Sequence, residues 1–284
     1  MLGNVSDGSQ RRRIEEVVGA LGRLGVDGHV IEADSPEAAL EGAQHAVADG
    51  YERLVAVGGD GVAHIAVNAV AGTETVLGIV PDGTGNDFAR ALGLLDGDLD
   101  AQLRRALSDP SPMDAIRTDH GWVATVATLG FSGDVTARAN GLRWPTGSQR
   151  YTVATLLQLP RLRVIDATVS VDGVLVGGDT TLLAIGNTAW FGGGMKICPD
   201  GEPDDGLLHA VNIGPVSRLR FLRVLPTVFS GRHVDRDEVT TRSGRTAVID
   251  GPADIDLWAD GERLGPLPVR LDLVPEALRV AGVL

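Results

Sequence analysis

Apolar positions recur at helical spacing over residues 10–24 (QRRRIEEVVGALGRL) and stop at Gly25. A short strand is expected over 26–31. Ser35 then stands where a helix N-cap belongs, with Pro36 at the first helical position, and that helix runs to Asp49 before Gly50 ends it. Residues 54–57 (LVAV) are apolar without alternation, as in a strand buried on both faces. Gly58-Gly59-Asp60-Gly61 breaks that run, and an amphipathic stretch follows to Val70. Residues 76–80 read as another buried strand, 81–87 as a loop, and Phe88 as the opening of a helix. This β-α-β-α order predicts a parallel sheet covered by helices.

Beyond residue 116 the period shortens from about 3.6 to about 2. Strands are expected over 122–131, 164–171, 175–185, 207–213, 234–241 and 246–249. Asp172-Gly173 and Asp260-Gly261 are placed as hairpin turns between such runs. A helix over 145–162 interrupts them. The fold class is therefore α/β plus β, with a parallel-sheet first domain and a mostly antiparallel second one. Pro110 and Pro112 mark the boundary between them.

Composition narrows the function. The 284 residues suggest two domains at roughly 150 residues each. The net charge of −13 argues against general binding to nucleic acid or to anionic membranes, unless a local basic patch overrides it. A single cysteine, Cys198, excludes an internal disulfide and predicts a reducing, cytoplasmic setting. No apolar run is long enough to span a bilayer, and the first residues have no apolar core of the signal-peptide kind.

The 38 glycines cluster in loops, and two loops carry chemistry. In VAVGGDGVAHIAVNAV (55–70), glycines let backbone N–H groups approach a phosphate, and a helix N-terminus adds partial positive charge. Asp60 within that turn either caps it, or holds a magnesium ion or accepts a proton. In IVPDGTGNDFARAL (79–92), a strand feeds Gly83-Thr84-Gly85, and Asn86 and Asp87 stand at a helix start. Asp87 on its own also fits a plain helix cap. Neither GxGxxG nor GxxxxGK[ST] occurs. Two such loops at the carboxyl ends of neighbouring parallel strands occupy the place where open α/β sheets bind ligands.

GGDG followed by PDGTGNDFAR resembles the diacylglycerol kinase catalytic family, which includes bacterial lipid kinases and the sphingosine and ceramide kinases. Residues 186–213 (GNTAWFGGGMKICPDGEPDDGLLHAVNI) are similar to the family's Gly-rich segment with its D-G-x-L turn. Residues 258–262 (WADGE) are similar to its late D-G-E hairpin, and the motif order matches along almost the whole chain. The resemblance implies a nucleotide-binding domain over 1–115, a β-sandwich-like domain over 116–273, and a tail over 274–284 that returns to the first domain. It places a nucleotide between the domains. It also implies transfer of the γ-phosphate of ATP to a lipid hydroxyl, most directly that of diacylglycerol, giving phosphatidic acid.

Carried over by position, the resemblance assigns nucleotide contacts to Gly58, Gly59, Asp60, Gly61, Gly83, Thr84 and Asn86. Asp60 and Asp87 would act on Mg²⁺ or its water shell, and Glu262 would be the general base. A second, structural Mg²⁺ would be held by the Asp205 carboxylate and by the carbonyls of Glu202 and Leu207. These roles suit phosphoryl transfer, which needs positioning and charge neutralisation more than covalent chemistry.

This chain departs from the family pattern at several positions. Val62 replaces the usual Thr after GGDG, His64 and Ile65 replace an Asn-Glu pair, and Ala33, between Glu32 and Asp34, stands near a family Thr. The first strand is reduced to residues 1–8, with Asn4-Val5 in place of Asn-Pro. These changes bear on nucleotide affinity rather than on class, because the acidic positions are kept. His64 is read as helix packing. A diacylglycerol acceptor would be met at a membrane surface. Arg143, Trp144, Arg150, Tyr151, Leu156, Leu157, Leu159, Arg161 and Arg163 mix basic and apolar character in a way suited to anionic lipid or to plain packing. Arg218, Arg220 and Arg223 form a second such cluster. A homodimer is compatible with the sequence. Two competing readings are a nucleotide- or lipid-binding homologue that has lost catalysis and a soluble-substrate kinase of the NAD kinase type. NDFAR with the DDGLL turn favours the lipid group over the latter.

Overall fold

The structure, a computed structural model, describes residues 1–3, 8–142, 144 and 148–283. Asn4, Val5 and Arg143 lie outside the described residues. The chain divides into two compact units, Met1–Ala115 with Pro275–Leu284, and Ile116–Val274.

The first unit contains β1 (Leu2–Gly3), α1 (Gly8–Arg23), α2 (Pro36–Ala48), β2 (Arg53–Gly58), α3 (Asp60–Val70), β3 (Val76–Pro81), α4 (Asp87–Ala91) and α5 (Leu99–Ala106). β1, β2 and β3 pair in parallel in that order, with Leu2 beside Ala56 and Val57 beside Val80. Val280, in the returning tail, lies parallel to Leu77 of β3. β2 is buried along its centre because helices cover both its faces. Val55, Val57 and Val80 pack with Val17 and Leu21 of α1 and Leu103 of α5. Ser35 caps α2 by accepting the Ala38 N–H at 3.1 Å, a contact that typically stabilises by about 1 kcal/mol.

The second unit contains the end of β4 (Pro110–Thr118), then β5 (Gly121–Val123), β6 (Val126–Gly130), α6 (Phe131–Asn140), α7 (Ser148–Gln158), β7 (Thr168–Val171), β8 (Val174–Gly177) and β9 (Leu182–Gly186). After two short strands, β10 (Trp190–Phe191) and β11 (Met195–Lys196), come β12 (Leu208–Ile213), α8 (Arg218–Val228), β13 (Val239–Gly244) and β14 (Thr246–Asp250). The last strands are β15 (Asp256–Ala259), β16 (Glu262–Pro266) and β17 (Val269–Ala281). Six of these strands form an antiparallel sheet in the order β13-β12-β9-β6-β15-β16.

The period-2 pattern gives each face of that sheet its own core. Leu183 and Ile185 of β9 face a cluster shared with Val169, Val171, Ala247, Ile249, Val269 and Leu271, which is the interior of a two-sheet sandwich. Leu182 and Ala184 face the opposite cluster, where Phe131, Ala154, Phe221, Val224 and Val228 bring in α6, α7 and α8. The α/β-plus-β class is thus the observed one, with the tail on the first sheet.

Several local expectations are corrected. Residues 26–31 form no strand; Ile31 makes one parallel bridge with Leu2. The stretch 122–131 breaks into β5 and β6, and Phe131 begins α6. The stretch 175–185 breaks into β8 and β9, with Asp179 at positive φ between them. Residues 232–235 form a 3-10 turn rather than a strand, because His233 is fully buried with Nε2 2.9 Å from the Ile197 carbonyl oxygen.

Gly78 of β3 lies against the end of α5: a Cβ there would stand 2.5 Å from the Ala106 carbonyl oxygen. Its φ is ordinary, so Gly78→Ala tests packing alone. We expect a stability loss of about 1–3 kcal/mol, read as a lower denaturant midpoint at unchanged slope.

Candidate active site

Both glycine loops follow parallel strands of the first unit at their carboxyl ends. They meet backbone to backbone. A Cβ on Gly83 would stand 2.4 Å from the Gly59 Cα, and one on Gly59 would stand 3.1 Å from the Gly83 Cα. No larger residue fits at Gly83 without separating the loops, and one at Gly59 would require the Gly83 backbone to give by a few tenths of an ångström. The Asp82 N–H donates to the Gly58 carbonyl at 2.9 Å, continuing the β2–β3 ladder into the loops.

Asp60 ties the loops together. Its Oδ1 accepts the Asp87 N–H at 2.6 Å and the Phe88 N–H at 3.4 Å. The carboxylate therefore caps α4 from 27 residues away, which accounts for an acid inside a glycine turn. Asn86, at φ 52°, donates from Nδ2 to the Gly83 carbonyl at 2.8 Å. Arg90 donates to the Gly85 carbonyl at 3.2 Å, and its Nε lies 3.7 Å from Asp87 Oδ1. Asp87 is buried, whereas Gly61, Gly83 and Thr84 form an exposed rim. α3 begins with Gly59 as an N-cap that makes no side-chain bond, so its first N–H groups have no side-chain acceptor at the cap.

These features fit a polyphosphate: an uncapped N-terminus on an eleven-residue helix, an exposed Gly-Thr edge, and a buried Asn86 Oδ1 with no partner among the described residues. Gly58, Gly59, Asp60, Gly83, Asn86 and Asp87 are brought into one junction. Val62, in place of the expected hydroxyl, packs its methyls over Gly58. Asn68 Nδ2 donates to the His64 carbonyl at 3.0 Å and lies 3.4 Å from His64 Nε2, within one helix.

Two residues with no earlier assignment belong here. Arg13 of α1 places Nε 3.8 Å from Asp82 Oδ1, bringing a cation to the second loop, and Arg90 braces that loop. Arg90 lies within NDFAR and was legible. Arg13 has no sequence signal, because its role depends on where α1 packs.

Glu262 opens β16 in the second unit and is exposed. The preceding Asp260 and Gly261 have φ of 51° and 90°, as a tight two-residue hairpin turn requires. Asp260 anchors the hairpin by accepting the Thr125 N–H at 3.0 Å, the Ala124 N–H at 3.3 Å and the Thr125 hydroxyl.

Glu202, Asp205 and Leu207 share another turn of the second unit. Asp205 Oδ1 accepts the Leu207 N–H at 2.8 Å, and Oδ2 lies 2.8 Å from His209 Nε2. His209 Nδ1 is in turn 2.9 Å from Ser243 Oγ. Among the described residues no group of three His, Cys, Asp or Glu side chains is placed to hold a metal ion. Each Asp205 oxygen is engaged by one donor and keeps a lone pair toward the turn. Beside this array lies a cavity of about 240 Å³ lined by Cys198, Asp200 and Arg242. Burial pushes the Cys198 thiol well up, away from thiolate chemistry. A cavity of about 590 Å³ lies at the amino ends of β2 and β3, lined by His29, Tyr51 and Thr75, at the other end of the sheet from the glycine loops.

Residues 3–118 match the family described as diacylglycerol kinase catalytic domain, and residues 125–282 match the YegS C-terminal NAD kinase beta sandwich-like domain. The chain belongs to the diacylglycerol kinase catalytic family, and it is a lipid kinase of that class. It is 40% identical over 276 residues to a protein of Mycobacterium tuberculosis named diacylglycerol kinase, covering 92% of this chain and 88% of that one. It is 34% identical to a protein of Xanthomonas euvesicatoria named "Probable lipid kinase YegS-like", covering 94% and 90%. A crystal structure of a diacylglycerol kinase from Bacillus anthracis superposes with a TM-score of 0.72 at 16% identity, covering 99% and 95%, and shares the fold.

Gly83→Ala should separate the loops while leaving the sheets intact. We expect nucleotide affinity to fall by about tenfold or more with an unchanged far-ultraviolet circular dichroism spectrum. Asp60→Ala strips the acceptor from two N–H groups and should lower stability by about 1–3 kcal/mol in denaturant titration.

Proposed function

We propose that this lipid kinase transfers the γ-phosphate of Mg-ATP to the hydroxyl of diacylglycerol, giving phosphatidic acid. The junction of the two glycine loops under the Asp60 carboxylate is the observation that carries this reading. The name of the Mycobacterium tuberculosis relative supports the acceptor.

In this reading, magnesium enters with the nucleotide as substrate. Gly58, Gly59, Gly61, Gly83 and Thr84 hold the phosphates through backbone N–H groups and the Thr84 hydroxyl, and Asn86 orders the second loop beneath them. Asp60 and Asp87 orient the water shell of Mg-ATP. Glu262 takes the acceptor's hydroxyl proton as its oxygen attacks the γ-phosphorus and ADP leaves. The exposure of Glu262 suits a base that must meet an incoming lipid. The turn of Glu202, Asp205 and Leu207 is the place for a structural cation. No helix among the described residues is long and apolar enough to cross a membrane. In this reading the acceptor is met at a membrane surface, on its cytoplasmic side.

The test is transfer of ³²P from labelled Mg-ATP to mixed micelles of diacylglycerol, sphingosine or ceramide, with NAD in a parallel reaction. Label in diacylglycerol is the expected result; label in NAD alone, or in no acceptor, overturns the proposal. Glu262→Gln should lower kcat by about 10²–10⁴-fold while ATP binding, measured by titration, is retained.

A further inference from the structure

α8 is apolar on two opposite faces. Phe221, Val224 and Val228 point inward into the cluster shared with α6 and α7, and the rings of Phe221 and Phe131 meet at 4.7 Å. On the other side Leu219, Leu222, Pro226 and the capping Phe229 follow at i, i+3, i+7 and i+10, a second helical stripe. Leu219 is 72% exposed and Phe229 58%. Arg218 and Arg223 flank this outer stripe, exposed, while Arg220 is held by a two-pronged bond to Glu238. One buried stripe is enough to hold a helix on a sheet; a second in water calls for a second apolar phase.

The neighbouring α7 repeats the arrangement. Ala154 faces the same cluster, whereas Leu156 and Leu157 face solvent. Trp144, ahead of α7, is 82% exposed. Charge is segregated in the same way. Residues 135–165 and 206–234, which supply α7, most of α6 and all of α8, contain none of the chain's 38 Asp and Glu and nine of its 25 Lys and Arg, all arginines. Acid lies at the margins of this layer, where Asp134 of α6 pairs with Arg163 at 3.4 Å and Glu238 with Arg220. An arginine-rich helix layer on a protein of net charge −13 is complementary to a negatively charged surface that is apolar beneath.

We infer that the outer face of α8, flanked by the exposed side of α7, is a docking surface for an anionic lipid bilayer. Leu219, Leu222 and Phe229 enter the acyl boundary and Arg218 and Arg223 pair with lipid phosphates. This rests on the lipid-kinase reading for its purpose, since a lipid kinase must reach an acceptor that stays in the bilayer. It goes beyond that reading in naming the surface and the lipid charge. The net charge of −13 does not oppose this contact, because charge acts locally, over about one Debye length of 8–10 Å.

The experiment is co-sedimentation of the full chain with phosphatidylcholine vesicles, with and without phosphatidylglycerol, at low and high salt. Binding is expected to need phosphatidylglycerol and to weaken with salt. Leu219→Ser with Phe229→Ser should cut partitioning by about tenfold or more, and Arg218→Gln with Arg223→Gln should remove most of the preference for the anionic lipid. Val174→Ser with Leu175→Ser, at exposed apolar positions on β8, should change nothing. Thermal unfolding and nucleotide titration of each variant verify folding.

The inference is overturned if wild type ignores the vesicles, or if the α8 variants sediment like wild type. It is also overturned if sizing shows that the same substitutions break a dimer in the absence of lipid, which would make a second copy the occupant. Sedimentation requires no turnover, and a short-chain diacylglycerol free in solution reports transfer without a bilayer. Failed docking with intact transfer therefore overturns the surface alone. Docking without transfer overturns the kinase reading and leaves the surface standing.

Discussion

Two backbones in contact at Gly59 and Gly83 set the geometry of the candidate active site. The distance between them leaves no room for a side chain on Gly83, so each loop limits where the other can lie. A single carboxylate then spans the junction, because the N–H groups at the start of α4 need an acceptor and Asp60 supplies it. Everything at the exposed rim depends on this lock: the turn at Asn86, the burial of Asp87 and the bracing by Arg90. A binding edge built from main chain has no side chains to adjust to a ligand, so it must be positioned in advance.

The same device recurs through the chain and gives structural meaning to its excess of acid. Asp172 accepts the Arg245 and Thr246 N–H groups, Asp114 the Glu276 N–H, Asp205 the Leu207 N–H, and Asp260 those of Ala124 and Thr125. Short carboxylates suit this task because they reach orphan N–H groups where turns and strand breaks leave the ladder incomplete. Asp205 differs in that its second oxygen meets His209, which continues to Ser243.

The second unit has a different logic. Its six-stranded sheet is covered on one face by a second sheet and on the other by α6, α7 and α8. With both faces buried, the strands need no polar side, and β6, β9 and β12 are buried throughout. The helices are left as the boundary with solvent, and it is there that arginine and exposed leucine, tryptophan and phenylalanine accumulate. The chain's net charge describes its average surface, while this layer departs from the average in sign.

The glycine loops, the flanking buried strands, the capped α2 and both Asp-Gly hairpins were legible in the sequence, since each depends on local backbone chemistry or short-range periodicity. Strand breaks at Ala124 and Asp179 and the 3-10 turn at His233 were not, because they follow from contacts with distant residues. The role of Asp60 lay between these cases. Its spacing allowed a cap, a cation site or a proton acceptor, and the fold added that the cap serves a helix 27 residues further along the chain, a role that one carboxylate oxygen fills without deciding the others. Arg13 became part of the site only through the packing of α1, and the outer stripe of α8 became visible only once its inner stripe had been assigned to the core. Sequence alone determines which turns and periodicities the backbone can adopt, because those depend on neighbours along the chain. Which carboxylate meets which amide, and which apolar face stays in water, was decided by the tertiary structure, because those choices depend on residues that only folding brings together.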